Sequence, residues 1–285
     1  MKVLITGAGG QLGWELKRSA PTGSLVYALA KDKLDVTNRA QVESCLRELR
    51  PQIVINAAAY TAVDLAERNS EQAYAVNAAG AENLAEMAEA ARARLVHIST
   101  NLVFSGSQST PYLPSDRAGP LSIYGASKLE GERKVLSITN GLIVRTSWLY
   151  SVNGHNFVKT ILGLLEERST IDVITDQIGT PTWAHGLAEA LWEMAPRTCL
   201  RGVYHWTDAG VASWYDLAVA VLEYGSALGL VRRPASIRPV RTTDYPSVAR
   251  RPTMSVLDKT ATWGALRRRP PHWRLALQRM LSEFV

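Results

Sequence analysis

The chain holds only two cysteines, Cys45 and Cys199, in 285 residues. They lie far apart and outside any metal-ligand spacing. This excludes a disulfide framework and fits reduced, packed thiols in a cytoplasmic protein. No His, Cys, Asp or Glu group has zinc spacing. No apolar run is long enough to cross a bilayer, so no membrane partner is expected. The N-terminal Met1–Gly7 lacks the apolar core of a signal peptide and runs straight into a strand-like stretch. Repeats, low-complexity segments and disorder-prone tracts are missing. So is any nucleic-acid reading module, and the net charge of +6 therefore reads as a basic surface that attracts small anionic ligands rather than nucleic acid. The densest basic run, Arg267–Arg269 ahead of Pro270 and Pro271, reads as a solvated turn before the last helix.

What is present is a 46% hydrophobic chain in which short β-branched runs alternate with helical patterns. Val3–Ile5, Leu25–Leu29, Ile53–Ile55, Leu95–Ile98 and Leu142–Val144 read as strands. Between them, helices are expected from about Gln11, over Val42–Leu49, and over Ala78–Ala91, with Leu84, Met87 and Ala88 inward. This alternation predicts an α/β fold, a doubly wound Rossmann-type parallel sheet covered on both faces. After Trp148 loops lengthen and tryptophan and proline become frequent. Residues 1–148 are therefore expected to form the dinucleotide-binding domain, and 149–285 a smaller, mainly substrate-binding lobe. Ile171–Ile174 and Val203–Trp206 are expected as short strands, with segments returning to the main sheet.

Thr6-Gly7-Ala8-Gly9-Gly10-Gln11-Leu12-Gly13 sits between the first strand and the first helix. Glycines at 7, 10 and 13 suit a tight turn that lets a pyrophosphate approach the backbone, and the helix N-terminus offers it free N–H groups. A glycine motif alone is weak evidence, but the strand–turn–helix context supports a dinucleotide site. At the end of the second strand, where a carboxylate would bind the ribose of NAD, the chain has Ala30-Lys31. NADPH is therefore expected, with NADH also open should the strand extend to Asp32. Asp35 is placed to meet the adenine.

Tyr124-Gly125-Ala126-Ser127-Lys128 puts a phenol and an ammonium on one face of a helix. The cation can stabilise a phenolate, and the tyrosine can donate a proton to a carbonyl oxygen as hydride arrives. His97-Ile98-Ser99-Thr100, at a preceding strand end, supplies a hydroxyl to polarise that carbonyl. Thr100 is the first choice and Ser99 the second.

With these motifs the chain resembles the extended short-chain dehydrogenase/reductases, and within them the dTDP-4-dehydrorhamnose reductase family. The resemblance covers nearly the whole chain. It includes Gly10–Leu16, Asn56–Asp64, Arg145–Tyr150, Asp176–Thr182 and Arg251-Pro252. It implies NAD(P)H-dependent reduction of a 4-keto-6-deoxy-L-sugar on a dTDP carrier, dTDP-4-dehydro-L-rhamnose to dTDP-L-rhamnose, in polysaccharide biosynthesis. Tyr124 would be the proton donor, Lys128 would tune it and hold the nicotinamide ribose, and Thr100 would orient the keto group. Gly7, Gly10, Gln11 and Leu12 would cradle the pyrophosphate, while Lys31, Asp35, Val36, Ala57, Ala58, Ala59, Tyr60 and Thr61 would line the rest of the cofactor groove. Asn101, Trp148, Gln177 and Arg251 would face the sugar nucleotide, arginine being a natural diphosphate partner. Some relatives are magnesium-dependent dimers, which leaves a homodimer and a Mg2+ requirement open. Glu15, Glu189 and Glu193 are conceivable ligands but read better as exposed helical salt-bridge partners, and no metal ligand is assigned.

The family's usual Ser-Thr-Asp-Tyr-Val-Phe reads here Ser99-Thr100-Asn101-Leu102-Val103-Phe104. The change removes a charge and an aromatic hydroxyl beside the sugar. It leaves room for another product such as dTDP-6-deoxy-L-talose, or for an epimerase. A non-catalytic nucleotide-binding regulatory subunit, like that of methionine adenosyltransferase, shares this expected fold, but the intact Tyr124–Lys128 pair argues against it. The changed segment argues against a dehydratase, whose elimination needs the two carboxyls of Thr-Asp-Glu at this point. His97 reads as a satisfied core residue and His155 as a solvated turn residue. Trp183, Trp192, Trp206, Trp214, Trp263 and Trp273 read as packing. From the Ala30-Lys31 pair, NADPH should be used at least as well as NADH. Steady-state kinetics with each cofactor check this, and a clear NADH preference would refute it.

Overall fold

The computed structural model describes residues 1–232 and 235–285. In chain order its elements are β1 (Lys2–Thr6), α1 (Gln11–Arg18), β2 (Leu25–Leu29), α2 (Arg39–Leu49), β3 (Ile53–Asn56), α3 (Val63–Ala66), α4 (Ser70–Tyr74), a π-turn (Ala75–Ala79) and α5 (Gly80–Ala90). There follow β4 (Arg94–Thr100), a 3-10 turn (Asn101–Val103), α6 (Ile123–Leu136), β5 (Gly141–Thr146), β6 (Leu149–Tyr150), α7 (Phe157–Glu167), β7 (Thr170–Ile174), β8 (Ile178–Gly179), β9 (Thr182–Trp183) and α8 (Ala184–Met194). The chain ends with β10 (Gly202–His205), β11 (Ala212–Ser213), α9 (Trp214–Ala227), β12 (Ser236–Val240), α10 (Thr260–Leu266) and α11 (Trp273–Ser282).

Six strands form one sheet in the order β2-β1-β3-β4-β5-β10, and every pairing in it is parallel. The strand order reverses between β1 and β3, so helices leave to opposite faces there and a crevice opens beyond the strand ends. The period-two alternation of the strands explains the two apolar layers. Val3, Ile5, Ile55, Val96, Leu142 and Val144 point to one face, where they meet Leu16 of α1 and Leu187 and Leu191 of α8. Leu4, Val54, Leu95 and Ile143 point to the other, against Val42, Leu46, Leu84 and Val135. A third cluster, including Tyr150, Ile161, Leu217, Val221 and Leu277, holds the C-terminal lobe.

The second half of the chain interleaves with the first. β10 adds to the edge of the main sheet beside β5, and α8 packs on its face. Ile171–Ile174 does not return. It lies in β7, which pairs with β12 in a separate two-stranded sheet. The Ala78–Ala91 helix starts earlier than its alanine pattern, running on from α4 through the π-turn, and Met87 is only half-buried on it. Cys199 is exposed and Cys45 half-buried, so only the latter is a packed thiol. Arg267 does sit in a left-handed turn closing α10, but Arg268 is no mere solvated residue. It pairs with Glu189 and Glu193 of α8. Among the described residues no helix is long and apolar enough to cross a membrane.

Helix α6 is held against the sheet by an ion pair. Arg145 of β5 donates from Nε and Nη2 to the two carboxylate oxygens of Glu132 at 2.8 and 2.6 Å, and both side chains are almost fully buried. The bidentate geometry satisfies both groups, and removing one partner strands a buried charge. Glu132→Ala should therefore lower unfolding stability by about 3–5 kcal/mol, measured by urea denaturation. A loss near zero would show that α6 is anchored elsewhere.

Candidate active site

The crevice at the strand ends is a cavity of about 670 Å³ lined by the β1–α1 turn, the tips of β3, β4 and β5, and the start of α6. Gly7 takes φ +69°, and a Cβ there would lie 2.5 Å from the Ala58 nitrogen, so the turn requires glycine. Gly10 caps α1 with no side-chain bond, and the first turn carries no acidic residue. The amide groups of that turn are left to an anion. Asn156 donates to the Gln11 amide oxygen at 3.0 Å, fixing that side chain at the cavity edge.

Gly10, Gln11, Leu12, Ala57, Ala59, Thr61, Thr100, Tyr124, Lys128 and Trp148 line this cavity. Gly7 and Ala58 lie beneath it, each against the other. Tyr60 is held outside by Asn77 of the π-turn, which accepts from its N–H and donates to its carbonyl. The same Asn77 donates to Ser127 of α6 at 3.0 Å. The π-turn thus ties the loop after β3 to α6, a use typical of such irregularities. Val36 is buried, and one Asp35 oxygen accepts from the backbone and hydroxyl of Thr37. β2 ends at Leu29, and Lys31 and Asp32 follow in an exposed turn, so the strand does not carry Asp32 to the adenosine end.

Tyr124 and Lys128 sit on the first turns of α6, whose N-cap Ser122 accepts from the Gly125 N–H. Burial pushes the Tyr124 phenol up to about 12, against a hydrogen bond with Thr100 that pulls it down. Burial pulls the Lys128 ammonium down to about 8, with Glu132 pulling the other way. Lys128 Nζ donates to the Ile98 carbonyl at 2.6 Å and meets His97 Nε2 at 3.2 Å. His97 is fully buried, and desolvation, then the lysine charge, holds it well below its ordinary value, as a neutral ring. It is the satisfied core residue that its strand position suggested, and one of its partners is Lys128. Thr100 closes the turn after β4, accepting from Leu102 N–H and donating to Asn101 Oδ1.

A second cavity of about 270 Å³ adjoins the first and shares Thr61, Thr100, Tyr124 and Trp148 with it. Asn101, Gln177 and Arg251 line it as well. Arg251 is fixed by Asp64 at 2.6 Å, a pairing that holds the Asp64 carboxyl down at about 2. Trp148 has φ +46°, a strained backbone for a bulky residue and one that concentrates at functional sites. Its indole stacks on Trp214 with centroids 3.6 Å apart. Trp214 also donates to Gln177 at 3.2 Å. It is therefore a wall of the second cavity, not simply core packing, and sequence spacing carried no sign of this. Also unforeseen were Thr146, Ser147, Leu149 and Asn156 in the first cavity. His155 is exposed at its edge. Three residues lining these cavities carry a buried polar atom with no partner within the protein: Ser99 Oγ, Asn101 Nδ2 and Thr146 Oγ1. Such atoms suit a polar ligand. The donor set fits a dinucleotide in the larger cavity.

Among the described residues no group of three or more His, Cys, Asp or Glu could hold a metal. Glu15 is buried rather than exposed. It accepts from Ser151 at 2.7 Å and pairs with Arg18 and His185. Glu189 and Glu193 are engaged by Arg268.

A dinucleotide cavity meeting a second, tryptophan-walled cavity at a Thr, Tyr and Lys set defines a nicotinamide-dependent oxidoreductase of the short-chain dehydrogenase type. A family model described as the RmlD substrate binding domain matches residues 1–285, and the chain belongs to that family. It is 40% identical to a dTDP-4-dehydrorhamnose reductase of Aggregatibacter actinomycetemcomitans, with 97% of each chain covered. It is 38% identical to the Escherichia coli protein of the same name, covering 99% of this chain and 98% of that one. The crystal structure of the Bacillus anthracis reductase in complex with NADP superposes with a TM-score of 0.94 at 38% identity, covering 99% of both chains.

The indole of Trp148 stacks on Trp214 and also lies against Gly179, where an added Cβ would be 2.7 Å from the ring. Gly179→Ala should therefore break the tryptophan stack. The expected reading is a changed near-ultraviolet circular dichroism spectrum with an unchanged far-ultraviolet one, and two unchanged spectra would refute it.

Proposed function

We propose that this protein reduces the 4-keto group of a dTDP-4-dehydro-6-deoxy-L-sugar, dTDP-4-dehydro-L-rhamnose to dTDP-L-rhamnose, with NADPH. The observation that carries this reading is the shared wall. Thr100, Tyr124 and Trp148 line both cavities, so a keto group and a nicotinamide would meet there. When bound, NADPH supplies the hydride. Thr100 orients the keto oxygen, and Tyr124, protonated at neutral pH, donates the proton that the developing alkoxide takes up. The Lys128 ammonium stabilises the resulting phenolate. Gly10, Gln11 and Leu12 hold the pyrophosphate at the α1 N-terminus. Lys31, in the turn after β2, is the cation proposed for a 2′-phosphate. Trp148 and Trp214 exclude water around the sugar, and Arg251 faces its diphosphate while Asp64 holds it in place. Residues 1–148 serve mainly the cofactor and 149–285 mainly the substrate.

One feature favours a second product. Asn101 lines the second cavity, and its buried Nδ2 donor has no partner within the protein, where the family's aspartate would have only acceptors. Such a donor could hold the keto sugar in the orientation that gives the 6-deoxy-L-talose epimer. NMR of the product separates the two readings. Tyr124→Phe keeps the ring and removes the proton. It should leave NADPH binding intact and lower turnover of the keto sugar by roughly 10²–10⁴-fold, followed by NADPH absorbance. Near-normal turnover would refute the assignment.

A further inference from the structure

Behind Lys128 lies a line of buried side chains that the reaction as described does not use. Asn56, at the tip of β3, accepts at Oδ1 from the Ala58 N–H at 3.1 Å and from the Thr6 hydroxyl at 2.7 Å. A backbone N–H can only donate, so the Asn56 oxygen must face it and Nδ2 must face the other way. Nδ2 lies 2.9 Å from His97 Nδ1. An amide NH2 has no lone pair to offer, so Nδ1 accepts. A neutral imidazole carries one N–H, which then resides on Nε2, and Nε2 faces Lys128 Nζ at 3.2 Å. An N–H donor can bond that nitrogen only when Nζ carries a lone pair.

We propose that His97 is a positioning residue for the reaction: Asn56 locks it in the Nε2–H tautomer, and in that form it donates to Lys128 and favours the neutral amine. The inference rests on the reductase reading. When Tyr124 has given its proton to the sugar oxygen, a proton passing from Lys128 to the phenolate breaks an N–H bond and forms an O–H bond. It leaves a lone pair on Nζ, which the His97 N–H receives until water reprotonates the amine. Without this donor the buried lysine would be held as an ammonium by Ile98 and Glu132 and would release its proton less readily. Burial lowers the lysine in the same direction.

The groups facing Lys128 are few. On its own helix they are Tyr124, one turn before it, and Glu132, one turn after it and paired with Arg145 of β5. From β4 comes His97. The π-turn contributes the uncharged Asn77, and the turn after β4 carries no charge. Glu67 meets the start of α6 at the Ile123 N–H, and Glu82 of α5 pairs with Lys134 near its end. The Asn56–His97 line is therefore the one input that a single side-chain oxygen can reverse.

Asn56→Asp makes that reversal. A carboxylate can only accept, so His97 must turn its proton to Nδ1 and offer Nε2 as an acceptor to the lysine ammonium. In the reduction direction kcat/KM falls as pH rises through the lysine, because the ammonium stabilises the phenolate. That limb, near the lysine's value of about 8 in the unaltered protein, should move up by about one pH unit or more in Asn56→Asp. An unmoved limb overturns the proposal. The second measurement needs no turnover and no folded variant. It is the 15N spectrum of the histidine rings in the unaltered protein with NADP bound. Among the five histidines, burial holds both His97 and His205 neutral from about pH 6 to about pH 9, and His97 is assigned as the one of these two that shifts when NADP is added. A protonated Nε2 with an unprotonated Nδ1 supports the proposal. The opposite tautomer, or an imidazolium, overturns it whether or not the keto sugar is the substrate.

Discussion

A lysine amine cannot be buried without partners, and the way Lys128 finds them fixes the geometry of the site. Its Nζ donates to the Ile98 carbonyl at 2.6 Å, near the end of a central strand whose ladder already uses most backbone groups. Leaving a buried amine unbonded would cost several kcal/mol, so helix and strand are held in one register. Once that register is set, Tyr124, one turn earlier on α6, has no choice but to stand beside Thr100 at the tip of β4. The Glu132–Arg145 pair fixes the same helix one turn further on against the neighbouring strand. Asn77 fixes it from the other side. The placement of Thr100, Tyr124 and Lys128 together is therefore a consequence of anchoring one helix on three sides.

The sheet order determines where that set can act. With the order reversing between β1 and β3, a crevice at the carboxyl ends of the strands opens above Thr6, Asn56 and Thr100. The glycine turn after β1 and the start of α6 close on the same space. In the proposed reaction a dinucleotide on the α1 amides extends across the strand tips towards Tyr124. The C-terminal lobe does not merely cap this crevice. By returning β10 and α8 to the main sheet, it makes its own position part of the main core. The Trp148–Trp214 wall is thereby held at a set distance from the phenol.

The chemistry that depends on local spacing was legible in the sequence. A glycine turn between a strand and a helix, and a tyrosine and lysine one turn apart, are sequence-local facts, and both place their residues around the larger cavity. The strands were equally readable, because a sheet buried on both faces leaves continuous β-branched runs. What stayed hidden were contacts between distant segments. Trp214 reads as one tryptophan among eight until the fold stacks it on Trp148. Glu15 reads as an exposed helix residue until Ser151 and His185, more than a hundred residues later, cover it. The destination of β7 was also invisible, because an edge strand of the lobe and an edge strand of the main sheet have the same alternation.

His97 shows how a residue can be read correctly and still be understated. Its place within a hydrophobic strand marks it as buried and hydrogen-bonded, and it is both. Which ring nitrogen carries the proton is set neither by His97 nor by Lys128. It is set by a backbone N–H at Ala58 that orients Asn56. That N–H belongs to the loop lying against Gly7 in the phosphate-binding turn. The packing against the glycine turn and the hydrogen-bond direction that reaches Lys128 therefore share one segment, residues 56–58. A substitution that shifted this segment would disturb both ends of the site at once, even though the two ends have no side chain in common.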